Sequence, residues 1–221
     1  MRFHKSAMIT AIAAIVSAGA LAFTSAGPAA ALSPPVGTGT TTCSAGYTGT
    51  VTFLPALKTG GTATSEEAEV SLGFSGCAGG TPVPVKGKYI AKGIVSGAGA
   101  NNCSNWFAPS VGTSPGIATR TFNQAPLLGE VTWSPTSISL SKVRFNTMRI
   151  RTGAGTFHRL ALILPNAGSG LVAGSYAPAS NLDLLVSPAQ NYPAVTTTCS
   201  TGLSSLTIVP SYGSSHSTGT W

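Results

Sequence analysis

The sequence predicts an all-β chain, an antiparallel β-sandwich of Ig-like or jelly-roll-like order with about nine or ten short strands. Three features carry that expectation. The 27 Gly and 15 Pro interrupt helices along the whole chain. The Val, Ile, Leu, Phe and Tyr residues come in short runs bounded by turn residues. Cys43, Cys77, Cys103 and Cys199 all lie beyond residue 31, and an even cysteine count in an exported chain reads as two disulfides stapling the fold.

Residues 1–31 read as a cleavable signal peptide that forms a signal helix ahead of the fold. Arg2, His4 and Lys5 precede an apolar run from Ala7 to Phe23, and Ala29 and Ala31 fit the small-residue positions of a cleavage site after Ala31. Gly19, Gly27 and Pro28 argue against a membrane-spanning helix. No Arg-Arg pair precedes the apolar run, which indicates the general secretory route. Neither a lipid-attachment cysteine near the cleavage point nor an apolar tail is seen, so the expectation is a secreted, extracellular product without an integral membrane anchor.

After cleavage, residues 32–39 form a flexible lead-in and residues 40–221 a single β-sandwich domain. Thr48 to Phe53 is a Thr-rich strand, and Glu69 to Ser75 sets Val70, Leu72 and Phe74 on one face. Thr59-Gly60-Gly61 between them is a hairpin turn. A third strand, Lys86 to Val95, folds back to place Lys92 beside Glu69. Gly97 to Gly116 is a long irregular loop. Strands resume at Glu130 to Trp133, turn at Ser134-Pro135-Thr136, and return through Ile138 to Phe145, where a bulge near Ser141 restores a single apolar face. Phe157 to Leu164 and Leu171 to Tyr176 form a hairpin about Pro165-Asn166-Ala167-Gly168, and Leu182 to Val186 and Leu203 to Val209 complete the set. No helix is expected after residue 31.

Thr40-Thr41-Thr42-Cys43-Ser44-Ala45-Gly46 is echoed by Thr196-Thr197-Thr198-Cys199-Ser200-Thr201-Gly202. If the first and last strands lie side by side, this echo favours Cys43 with Cys199 and Cys77 with Cys103. The symmetry of Cys43 and Cys77 about the Gly60 turn supports the other pairing, Cys43 with Cys77 and Cys103 with Cys199, but the pairing that follows the echo is preferred.

Charge is sparse, at 8% of residues, with 12 Lys+Arg against 5 Asp+Glu. Without Arg2 and Lys5 the net charge of the mature chain falls from +7 to about +5. Lys142, Arg144, Arg149, Arg151 and Arg159 form a candidate patch for an anionic ligand, such as a cell-wall polymer, an acidic polysaccharide or lipid headgroups, if they fall on adjoining strands. A nucleic-acid surface would interleave aromatic residues with such cations. Only Phe145 and Phe157 are near and both suit the core, so no nucleic-acid partner is expected, and the domain reads as a monomer.

Catalytic signatures are missing from the sequence. His158 and His216 have no acid nearby, and no Gly-x-Ser-x-Gly elbow occurs. Among the acids, Glu130 with Glu67 or Asp183 is the pairing a hydrolase would need, whereas Glu66, Glu67 and Glu69 read as charges guarding a strand against edge pairing. No Cys-x-x-Cys, His pair or Asp-x-Asp-x-Asp run provides a metal site, and no cofactor is expected. Trp133 alternates with Val131 and reads as core, while Trp106 suits packing over a disulfide or, in the sharper alternative, a sugar-stacking platform.

Thr42-Cys43 with Thr48 to Phe53, Gly76-Cys77, Asn102-Cys103, Val131-Thr132-Trp133, Gly170 to Gly174 and Cys199 to Ile208 together resemble a group of uncharacterised small secreted four-cysteine β-rich proteins of actinobacteria. The resemblance implies a secreted β-sandwich and supplies no catalytic residues. The functional expectation is a non-enzymatic extracellular or envelope-associated binding or structural domain. A carbohydrate-binding module is the first alternative and a small secreted hydrolase the second.

Overall fold

A computed structural model describes residues 33–107, 127–145, 148–152, 160–164, 171–176, 178, 182–212, 215–217 and 220–221. The chain divides between Leu32 and Ser33. The signal-peptide reading of residues 1–31 therefore lies outside the described residues.

Ten strands form one antiparallel ladder among the described residues. In chain order they are β1 (Thr38–Leu57), β2 (Ser65–Thr81), β3 (Lys86–Ser96), β4 (Leu127–Ser134), β5 (Ser141–Phe145), β6 (Arg149–Thr152), β7 (Leu160–Leu164), β8 (Leu171–Gly174), β9 (Leu182–Val186) and β10 (Leu203–Val209). Their order across the sheet is β6-β7-β9-β10-β1-β2-β3-β4-β5-β8. A separate ribbon pairs β11 (Ser211–Tyr212) with β12 (Ser215–His216). β5 and β6 stand near opposite ends of the ladder, yet Phe145 and Arg149 are four residues apart and so no more than about 15 Å from one another. The sheet must curl back on itself, and it is a curled half-barrel. The antiparallel β class holds, but the ladder does not resolve into the two facing sheets of a sandwich.

Alternation builds this curl. Along β2 the even positions Glu66, Ala68, Val70, Leu72 and Phe74 are buried and the odd ones are less so. The same period places Gly87, Tyr89 and Ala91 inward on β3, Gly129, Val131 and Trp133 on β4, and Val143 and Phe145 on β5. The inner face closes over rings: Phe74 stacks on Tyr47 and Trp221 with centroids 5.2 Å away in each case, and meets Trp133 edge-on at 5.7 Å. Edge-to-face and offset contacts of this kind add to the stabilisation from area burial. Gly87 is fixed by that packing, because a Cβ there would lie 2.4 Å from Cε2 of Phe74.

The hairpin about Gly60 forms as read from the sequence, with β1 and β2 paired from Leu54 opposite Glu67 to Thr38 opposite Thr81 through register shifts between Thr48 and Ala45 and between Thr41 and Thr38. Lys92 stands opposite Glu69, and its Nζ lies 3.1 Å from Glu69 and 2.8 Å from Glu67. The segment from Ile138 to Phe145 does not make one bulged strand. β5 starts at Ser141, Ile138 packs inward from the preceding turn, and the register shift falls instead between β5 and β8 at Lys142/Val143.

Two helices contradict the expectation of none. α1 (Cys103–Phe107) occupies part of the predicted irregular loop. α2 (Tyr192–Thr198) follows a 3-10 turn at Pro188–Gln190. The side chain of Asn191 caps α2 by accepting from the Ala194 amide at 3.0 Å, and Pro193 fits its first turn. Neither helix is long and apolar enough to cross a membrane, nor is any other among the described residues.

The preferred cysteine pairing is also overturned. The disulfides are Cys43–Cys77 and Cys103–Cys199. β1 and β10 are indeed neighbours, but they run antiparallel. Leu203 at the start of β10 pairs with Leu57 at the end of β1, about 45 Å along β1 from Cys43. The echoed Thr-Thr-Thr-Cys segment is strand in its first copy and helix in its second. Cys43 meets Cys77 because the two are paired residues of one ladder.

Candidate functional site

The outer face of β1–β5 carries the site-forming side chains. On β5 the buried–exposed alternation turns Lys142 and Arg144 outward, opposite Glu130 and Leu128 of β4. These two members of the predicted cationic patch are brought together. Arg149 and Arg151 belong to β6, whose partner among the described strands is β7, so among those strands the patch is not laid across hydrogen-bonded neighbours. Arg159 and His158 lie outside the described residues.

Two cations the sequence reading did not single out complete the face. Lys86 and Lys88 alternate with the inward Gly87 and Tyr89, and both are exposed. Lys88 stands between Gly73 of β2 and Thr132 of β4, and Lys86 between Ser75 and Ser134. Of the five acids in the chain, Glu67 and Glu69 hold Lys92 and Glu66 is buried, and among the described residues no ion pair joins an acid to Lys86, Lys88, Lys142 or Arg144.

A trough of ≈ 670 Å³ crosses β1–β4 at this level. Gly46 and Thr48 lie at its β1 side, Thr132, Ser134 and Thr136 at its β4 side, and Lys86 and Lys88 between them. It exists because Gly73, between Thr48 and Lys88 in the lateral row, projects no side chain. Phe74 and Trp133 lie beneath it, 3% and 1% exposed. A second depression of ≈ 520 Å³ lies over the Gly60 turn. Its Asn101 is committed to the turn, accepting from the Ala63 amide at 2.9 Å and donating to the Ala56 carbonyl at 3.4 Å.

The remaining predicted site residues lie on separate elements. Glu130 faces Lys142, and Asp183 is exposed on β9, separated from β4 in the ladder by β10, β1, β2 and β3. Glu67 and Glu130 are two strands and four residues apart, about 16 Å by strand geometry. Trp106 is 2% exposed, packs edge-on against Phe53 at 4.8 Å, and donates its indole N–H to the Ala100 carbonyl at 2.9 Å. Trp133 is bound in the core through the Ser141 hydroxyl at 2.8 Å. No group of three or more His, Cys, Asp or Glu able to hold a metal occurs among the described residues.

Glu66 is the acid whose placement differs most from expectation. It does not guard the surface: it is fully buried at the turn end of β2, and neither carboxyl oxygen completes a hydrogen bond. Burial pushes its carboxyl up to about 7, while the Leu54 backbone pulls in the opposite direction. Alternation back from Phe74, Leu72 and Val70 places both Ala68 and Glu66 on the inner face, so the signal was present in the sequence.

Compared with known protein families, curated proteins and solved structures, the chain matches none.

Proposed function

We propose that this chain is an exported, non-catalytic binding domain of the extracellular or cell-envelope space that holds an anionic polymer on its outer sheet face. The observation that carries the reading is the set of four outward cations on β3 and β5, Lys86, Lys88, Lys142 and Arg144, against the single acid Glu130 on the strand between them. A local excess of this size raises the concentration of polyanions at the surface and speeds their capture. In this reading residues 1–31 direct export, and the two disulfides suit the oxidising compartment the chain reaches.

The test is binding of the purified mature chain to isolated cell walls and to soluble polyanions at rising ionic strength. Binding should weaken steeply between about 0.05 and 0.5 M salt as the Debye length shortens. Reversal of all four cations to Glu should abolish it. Absent or salt-independent binding would overturn the proposal.

A further inference from the structure

We infer that the trough across β1–β4 is the seat of a single linear polyol-phosphate chain, with Lys86 and Lys88 as its phosphate contacts. This deepens the polyanion reading above and rests on it.

Three properties of the trough define the ligand. The first is charge spacing. Lys86 and Lys88 are two residues apart on one face of β3, which sets their Cα atoms about 7 Å apart. Neighbouring phosphates on a short polyol repeat at a similar distance, so the two ammonium groups can each meet one of a consecutive pair. The second is hydroxyl lining. Thr48, Thr132, Ser134 and Thr136 border the trough, and none of their hydroxyls has a hydrogen-bond partner among the described residues. Each can donate to a phosphate oxygen and accept from a polyol hydroxyl.

The third property is that, among the described residues, the trough presents no exposed ring. Sugar rings are commonly held by stacking on an open aromatic face, and the aromatic residues beneath this trough, Phe74 and Trp133, are buried. The space left by Gly73 suits a thin flexible chain gripped by charge and hydrogen bonds. A recess of ≈ 670 Å³ has room to seat a single chain, whereas a bilayer surface would meet only the outward lysines. Lys142 and Arg144 lie outside the trough lining, where they attract the polymer at longer range.

Gly73 makes the inference testable without altering charge. A Cβ built there meets nothing closer than Thr48, with the nearest atoms 3.9 Å away, and a β-branched side chain suits a strand. Gly73→Ile should therefore fold, with unchanged circular dichroism and melting, while filling the trough. The probes are a fluorescently labelled glycerol-phosphate oligomer of about ten units, sodium polygalacturonate as a ring-built polyanion, and vesicles containing phosphatidylglycerol.

Gly73→Ile and the double variant Lys86→Gln/Lys88→Gln should each weaken oligomer binding about tenfold or more, and Lys142→Gln/Arg144→Gln by no more than about threefold. Polygalacturonate should bind the wild type at least about tenfold more weakly than the oligomer. Oligomer binding unaffected by Gly73→Ile and by Lys86→Gln/Lys88→Gln overturns the trough while leaving polyanion binding in place. Equal affinity for polygalacturonate overturns the polyol-phosphate assignment, as does binding to vesicles alone. Failure of the wild type to bind any of the three at low salt removes the underlying polyanion reading itself.

Discussion

The β1–β2 hairpin carries a disulfide region at each end, and the two ends are held by different physics. At the open end Cys43–Cys77 joins residues already paired in a long ladder, over the rings of Tyr47, Phe74, Trp133 and Trp221. Thr42 bridges Thr220 there, and the Trp221 amide donates to the Thr41 carbonyl at 2.7 Å. At the turn end the contacts are polar and come from distant parts of the chain. The Lys58 amide donates to the Asn101 carbonyl at 2.9 Å, the Cys103 amide to the Lys58 carbonyl at 3.0 Å, and the Thr59 amide to the Cys199 carbonyl at 2.9 Å. Cys103–Cys199 links the start of α1 to the end of α2, two helices too short to persist unaided. The open end would thus retain its structure through packing and pairing, and the turn end depends on its covalent link.

The sharpest way to break this comparison is to remove each disulfide in turn. Cys103→Ser/Cys199→Ser opens a link spanning 96 residues, Cys43→Ser/Cys77→Ser one spanning 34. The loop-entropy model gives losses of about 5 and about 4 kcal/mol respectively. The global difference is small, but the local one should be large. In hydrogen exchange, amides of α1 and α2 should lose protection in the first variant far below the global unfolding free energy. In the second, β1 and β2 amides should keep protection up to the global limit. Equal local loss at both ends would show that the ladder does not hold the open end by itself.

The next effect is a gain. Glu66 lies at the turn end as a buried carboxyl with a folded value of about 7 against an ordinary 4.5. Between these values the unfolded chain binds fewer protons at this site than the folded one, so stability falls as pH rises from about 4.5 to 7 and is level above that. The span corresponds to about 3 kcal/mol at neutral to alkaline pH. Glu66→Gln, which cannot ionise, should remove the slope and raise stability at pH 8 while changing it little at pH 4. Urea unfolding at a series of pH values checks this, and an unchanged slope in the variant would place the titration elsewhere.

The two ends were not equally legible in the sequence. The hairpin, its turn at Gly60 and the Lys92–Glu69 contact follow from alternation and turn chemistry, which act over a few residues. Val131 and Trp133 are placed in the core by the same rule. The turn end escaped because its contacts join residues such as Lys58 with Asn101, and Thr59 with Cys199, whose proximity no local pattern encodes. The echo between Cys43 and Cys199 misled for that reason, since neighbouring antiparallel strands put their starts at opposite ends. α2 had a readable signal in Asn191 and Pro193 but was masked by the β-branched Val195, Thr196, Thr197 and Thr198. β6 was missed because Arg149–Thr152 is short and rich in charge. The trough depended on lateral register: Thr48, Gly73, Lys88 and Thr132 are scattered in sequence and form one row only when four strands pair.

The smallest expected effect sharpens the comparison from outside the core. Lys92 is exposed, and its ion pairs with Glu67 and Glu69 lie on the outer face near the turn end. Hydrogen bonds to Glu67 and Glu69, the leading causes, hold its ammonium group charged to higher pH than usual. A solvated pair of this kind gains little from its Coulomb attraction after side-chain ordering and screening. Lys92→Ala should shift the melting temperature by about 1–2 °C at low salt and by less at high salt. Exchange of the α1 amides should stay unchanged, because the link that orders that end runs through Cys103, Cys199 and Asn101 and not through the surface charges. A large, salt-insensitive loss accompanied by opening of α1 would mean that the outer ion pairs, and not the inner latch, hold the turn end together.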